Sequence, residues 1–256
     1  MTTNLYHTIH ELTQTSLVKA GISLRSGGVS TKPYTSLNLA WHVGDEHTAV
    51  FQNQQRFSDS TGINTLKYCN QIHSDTVINA DNIQYSGWIV DKQDTSENTG
   101  DALISSRQGS TLGIFTADCV PIFILDIATP VIGIAHAGWR GTYAKIAVKT
   151  VLQMKTTFGT EPENCLVHLG PSIQKCCYEV SPELLKQFSD QFGRDVHNGQ
   201  CLCLQTANLC QLVDAGVPYK SISISPFCTA CNTEDFYSYR AEGGQTGRML
   251  SFIHLI

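Results

Sequence analysis

The sequence predicts an α+β fold: a mixed β-sheet covered by helices. Short apolar, partly β-branched runs recur through the middle of the chain. Several are apolar at every position, as strands buried on both faces would be. Helix-like and strand-like segments follow one another irregularly, which disfavours a doubly wound parallel sheet.

The expected strands are 112–116, 120–126, 131–135, 166–169 and 221–225. One helix has its start and stop written into it. Ser181 is an N-cap and Pro182 fills the first helical position; Leu184, Leu185, Phe188 and Phe192 follow at helical spacing, and Gly193 ends the run. A second is expected from Thr142, with Tyr143, Ile146, Ala147, Val151, Met154 and Phe158 on one face and Gly159 as its stop. A third spans 205–215, ahead of Gly216. The polar stretch 91–100, DKQDTSENTG, reads as an exposed loop.

At 256 residues the chain suits one domain, 1–256, with a large core. Hydrophobic residues make up 41% and charged residues 15%, the balance of a folded protein in water. The net charge of −5, with no basic stripe, argues against nucleic acid or an anionic membrane as partner. No apolar run is long enough to span a bilayer, and the first residues resemble no secretory signal, so a cytoplasmic location is expected. In that setting the ten cysteines read as reduced thiols.

Three stretches put a reactive side chain at the edge of an apolar segment: QIHS with His73, ADCVP with Cys119 and AHAGWRG with His136. Spacing alone does not bring them together. If they meet, two imidazoles and a thiol allow three chemistries: a zinc site with an open fourth position, a Cys–His nucleophile pair, or a trigonal copper site. Nine histidines and no His-x-His pair weigh against a multicopper oxidase.

The glycine-bearing loops RSGGVS (25–30) and GWRG (138–141) suit an anionic ligand, with Arg25 and Arg140 beside them. Arg240 and Arg248 are further phosphate-clamp candidates. Asp118, next to Cys119, reads as a structural anchor, and Asp101 and Glu179 are acid/base candidates. Cys228 and Cys231 have CxxC spacing without a second CxxC, so packing or lining of the site is favoured over redox chemistry.

GGVST-x-PY-x-SLNL-x-x-HVGD, QIHSD, GDALIS, GIFTADCVPIFILD, AHAGWRGT, LGPSI with CYEV, and CTAC…FYSYR…GRM occur in this order across almost the whole chain. Together they resemble the laccase-domain, or polyphenol oxidase-like, family, whose bacterial members are described as purine nucleoside phosphorylases and as a peptidoglycan editing factor. The resemblance implies an α/β sandwich with a large mixed sheet, a cysteine-hydrolase-like fold. It also implies that His73, Cys119 and His136 form a zinc-binding catalytic trio, with copper as the other metal. Implied reactions are phosphorolysis of adenosine, inosine, guanosine and S-methyl-5′-thioadenosine, and adenosine deamination. The alternatives are a Cys119-dependent hydrolase acting on cell-wall precursors and a copper-dependent polyphenol oxidase. Arg25, Gly28, Asn38, Arg140 and Cys228 are the expected substrate contacts, in a monomer or homodimer. One departure lies at Asn53-Gln54-Gln55-Arg56, where the family shows Asn-Arg directly.

Overall fold

The computed structural model describes residues 4–83 and 98–256, so positions 91–97 of the expected polar loop lie outside the described residues. The chain opens with β1 (Tyr6–Thr8), α1 (His10–Thr13), β2 (Val18–Ser23) and α2 (His47–Thr61). The central strands are β3 (Val77–Asn79), β4 (Ala102–Ser105), β5 (Thr111–Thr116), β6 (Val120–Asp126) and β7 (Val131–Ala137). Then come α3 (Trp139–Tyr143), α4 (Ile146–Phe158), β8 (Cys165–Leu169), α5 (Pro182–Phe192), β9 (His197–Asn198) and β10 (Cys201–Leu202). Last are α6 (Leu204–Asp214), β11 (Ile222–Ile224) and β12 (Met249–Leu255).

The strands divide between two main sheets. An antiparallel sheet runs β1-β2-β12-β5, and a mixed sheet runs β11-β8-β6-β7-β4-β3 with β11–β8 and β3–β4 parallel. Alternation along β6 shows how they stack. Ile122 and Ile124 pack with Ala147, Val151 and Met154 of α4, whereas Phe123 and Leu125 pack with Leu112, Ile114 and Ile253 of the other sheet. Helix α2 covers the outer face of the antiparallel sheet, with Phe57 edge-on to Phe252 at 5.8 Å between ring centroids. Double-faced burial of the central strands therefore has two sources, helices on one side and a second sheet on the other.

The helix expected from Thr142 is broken. Lys145 adopts φ 64 and separates α3 from α4. In an unbroken helix the Thr142 carbonyl would accept from residue 146; here it accepts from Lys145 N and from the side chain of Gln211 on α6, each at 3.0 Å. Asn208 donates to the Thr142 hydroxyl one turn away. The apolar face continues across the break, which hides it from periodicity. The α5 cap is as the sequence predicts, with the Ser181 hydroxyl accepting from Leu184 N at 3.3 Å. Among the described residues, no helix is long and apolar enough to cross a membrane.

Candidate active site

Strand register builds the site. Strand β7 lies between β6 and β4, with Pro121 opposite His136 on one side and Ala102 opposite Ala135 on the other. One step further along these ladders, Cys119 faces Gly138 and Asp101 faces His136. The His136 amide donates to the Asp101 carbonyl at 2.7 Å, and His136 Nδ1 donates to Asp101 Oδ1 at 2.8 Å. An imidazole fixed through Nδ1 leaves Nε2 for chemistry.

His73 belongs to no strand or helix. Its loop wraps around the same carboxylate: Asp101 Oδ1 accepts from His73 N at 3.0 Å, and Oδ2 accepts from Ile72 N, Ser74 N and the Ser74 hydroxyl at 3.2, 2.6 and 2.8 Å. His73 itself takes φ 61, a conformation few residues other than glycine adopt without such anchoring. One buried aspartate thus orients one histidine by its ring and the other by its backbone. The ring centroids of the pair are 4.8 Å apart.

Cys119 completes the group. Ligand atoms of His73, Cys119 and His136 all lie within 4.8 Å of one another. Gly138 makes the close approach possible, because a Cβ there would stand 2.9 Å from Cys119 Sγ. Asp118 takes φ 89. It accepts from the Thr229 hydroxyl at 2.6 Å and from Arg240 N at 2.7 Å, while its carbonyl accepts from Ile173 N. The anchor role read from the sequence is the one its bonds describe.

The electrostatics follow from this packing. Burial acts to lower the pKa of His136, but the charge of Cys119 and hydrogen bonds with Asp101 and Cys119 outweigh it and raise it to about 9. Burial raises Asp101, yet hydrogen bonding and charge from His136, with the Ser74 bonds, leave it below the usual carboxylate range. Burial and the His136 charge lower His73 despite Asp101. Two nitrogens and one sulfur, one imidazole backed by a carboxylate, make a donor set that suits a thiophilic or borderline divalent ion such as zinc.

Other expected contacts divide into those near the trio and those turned inward. Arg140 lies over the Trp139 ring at 4.3 Å, and its charge reaches His73 and Tyr178. The Arg248 charge reaches Cys119 and His42. Arg240 donates to the carbonyl of Glu179, whose side chain is exposed, and stacks over Tyr178. Arg25 has partners within the protein: it donates to the carbonyls of Thr35 and Thr233 and to Glu242, over the Tyr237 ring.

In the first glycine loop two backbone amides have acceptors within the protein. Gly28 N donates to the Ser36 hydroxyl and Val29 N to Asn53 Oδ1, and a Cβ on Gly28 would collide with the Ser36 carbonyl. Fully buried Asn38 donates to Asp45 and to the Ala40 carbonyl, and accepts from Ala40 N and Arg248 N. It therefore supports the backbone of Arg248 at the entry to β12. Arg56, exposed on α2, donates to the Gly27 carbonyl. Cys228 is grouped with Cys176, Cys177 and Cys231 and not with the trio.

Two neighbours went unnominated. His42, in the single helical turn Trp41–Val43, feels the His136 charge; Tyr178 is raised to about 12 by burial and the Cys119 charge. Burial, the Arg248 guanidinium and His136 lower His42 to about 4. Both stand inside motifs already noted, HVGD and CYEV, but nothing in their local pattern separates them from packing residues.

The family of multi-copper polyphenol oxidoreductase laccases matches residues 19–256. The chain belongs to that family. A relative named purine nucleoside phosphorylase YlmD, from Geobacillus stearothermophilus, is 34% identical over 91% of this chain and 89% of its own. Another, named adenosine deaminase RL5, from an unknown prokaryotic organism, is 32% identical over 86% of this chain and 87% of its own. The crystal structure of YlmD from Geobacillus stearothermophilus superimposes with TM-score 0.85 at 32% identity, covering 94% of this chain and 93% of that one.

Proposed function

We propose that this chain is a zinc-dependent purine nucleoside phosphorylase that also deaminates adenosine. The observation that carries the reading is the convergence of His73, Cys119 and His136 around Asp101, in a family whose relatives bear those two names. The substrates are adenosine, inosine, guanosine and S-methyl-5′-thioadenosine, with phosphate; the products are the free base and a pentose 1-phosphate.

His73, Cys119 and His136 would hold the zinc. A zinc ion with an open position supplies Lewis acidity at neutral pH. The chain supplies the rest. Asp101 fixes the tautomer of His136 and the placement of His73. Arg140, whose charge reaches His73, and Arg248, whose charge reaches Cys119, provide positive charge for a phosphate dianion. In phosphorolysis a phosphate oxygen bonds to C1′ as the C1′–N9 bond breaks, and the electron pair leaves with the purine. His42 and Tyr178, both neutral at pH 7, are suited to hydrogen-bond the purine edge.

One observation favours a second reading. Cys119, His136 and Asp101 also form a hydrogen-bonded series of the kind that activates a thiol nucleophile, as a hydrolase for cell-wall precursors would require. Incubating zinc-loaded protein with adenosine, with and without phosphate, tests the main reading. Adenine with ribose 1-phosphate is expected when phosphate is present, and inosine in either case. Absence of all three overturns it; rapid alkylation of Cys119 in protein that has never carried stoichiometric metal supports the second.

A further inference from the structure

Outside the trio, four sulfurs converge. Cys176 and Cys177 lie in the turn after β8, and Cys228 and Cys231 in the loop after β11; all four Sγ atoms fall within 4.8 Å of one another. Cys231 Sγ is 3.5 Å from Cys176 Sγ and 3.3 Å from Cys177 Sγ. We propose that these four cysteines form a second metal site, a structural four-thiolate zinc centre distinct from the His73–Cys119–His136 group.

The distances suit a shared ion better than covalent pairing. Sulfurs bound to one tetrahedral zinc at about 2.3 Å lie about 3.8 Å apart, whereas a disulfide joins sulfurs at about 2.05 Å. Local geometry explains how such a sequence achieves this. Adjacent residues in a strand point to opposite faces, but Cys176 and Cys177 sit in a turn closed by Cys177 N and Tyr178 N, both donating to the Gln174 carbonyl. The turn brings both thiols to one side. Cys228-x-x-Cys231 supplies the spacing by which a single bend offers two thiolates. Gln174 N donates to Cys228 Sγ at 3.4 Å, a contact that stabilises a thiolate ligand. Cys176 and Cys231 are exposed, so an ion can enter without opening the core.

The placement gives the ion a purpose. The two loops it would clasp already run side by side through Ser172 and Cys228. They also carry Thr229 and Ile173, which hold Asp118 beside Cys119, and they lead into Tyr178. Zinc here would stiffen one wall of the candidate active site while taking no part in its chemistry. The centre does not depend on the proposed reaction, and it is read by metal content and not by turnover.

The test uses protein purified without chelator, with zinc counted by mass spectrometry and its neighbours read by X-ray absorption. His73→Ala/His136→Ala, which disables the first site, is expected to retain one zinc per chain with four sulfur neighbours at about 2.3 Å. Cys176→Ser/Cys231→Ser is expected to lose one zinc equivalent relative to the wild type. A histidine variant free of zinc, a mixed nitrogen and sulfur shell, iron in place of zinc, or a disulfide from Cys231 to Cys176 or Cys177 overturns the proposal. Because the histidine variant leaves all four cysteines intact, the result stands even if the cysteine variant does not fold.

Discussion

Asp101 Oδ1 receives the ring of His136 at 2.8 Å while its carboxylate also collects three consecutive amides around His73. The two histidines of the trio are therefore coupled through one buried carboxylate. Asp101→Asn replaces an acceptor with a donor facing donors. Zinc affinity is expected to fall about 10–100-fold, together with a lower unfolding midpoint, since a buried charge pair is broken. A chelator competition titration checks this; unchanged affinity would mean that Asp101 does not organise the ligands.

Gly138→Ala isolates the sulfur. Gly138 has φ −71, which alanine adopts freely, so the backbone is not strained. The added methyl would sit 2.9 Å from Cys119 Sγ and displace it. Expected is a loss of zinc occupancy and a fall of about 100-fold in turnover, with stability changed by about 1 kcal/mol or less. Full metal occupancy in this variant would contradict the geometry described for Cys119.

Arg248 and Arg25 are expected to part company. Arg248→Gln removes a charge that reaches Cys119, so the KM for phosphate should rise about 10–100-fold, the equivalent of one charge-assisted hydrogen bond. Arg25→Gln loses contacts to Thr35, Thr233 and Glu242, so stability should drop by about 1–3 kcal/mol with the phosphate KM unchanged. Steady-state kinetics at varied phosphate, with denaturant titration of each variant, separates the two.

His168 links stability to pH. It is 7% exposed, bonded at Nδ1 to the Ser223 hydroxyl at 2.8 Å, and lowered by burial from 6.5 to about 4. The unfolded chain therefore takes up the proton first. Stability is kept above about pH 6.5 and lost as the pH falls toward about 4, with about 2 kcal/mol lost between about pH 7 and 5. His168→Asn should remove that share of the slope in denaturant midpoints measured across this range. An equal slope in both proteins would show that His168 is not the group responsible.

What could be read beforehand had local causes. Strand β6 runs over the expected residues because its apolar run is bounded by the turn at Asp118 and by Asp126. Helix α5 carries its cap, proline and stop in sequence. The α3–α4 break was illegible because Lys145 takes φ 64 without glycine, and the compensating donor, Gln211, lies far along the chain. Strands β2 and β12 were illegible because they pair with each other from opposite ends of the chain, and the three-residue β1 depends on β2 for its only strand partner among the described residues. The trio was legible as three reactive residues at segment edges, and its union came from the resemblance. Asp101 was legible only as an acid/base candidate; its bridging of the two histidines arises from lying opposite His136, one residue before β4. The four-cysteine group escaped because its second half is an adjacent pair, Cys176-Cys177, and not a second CxxC.

The central claim, that His73, Cys119 and His136 form one metal centre for purine nucleoside chemistry, meets its most direct test in a chelation and zinc-restoration assay of adenine and ribose 1-phosphate release. Phosphorolysis should vanish on chelation and return with zinc in the wild type, and fail to return in Cys119→Ser. A metal-free wild type that still releases both products at its original rate would contradict the account.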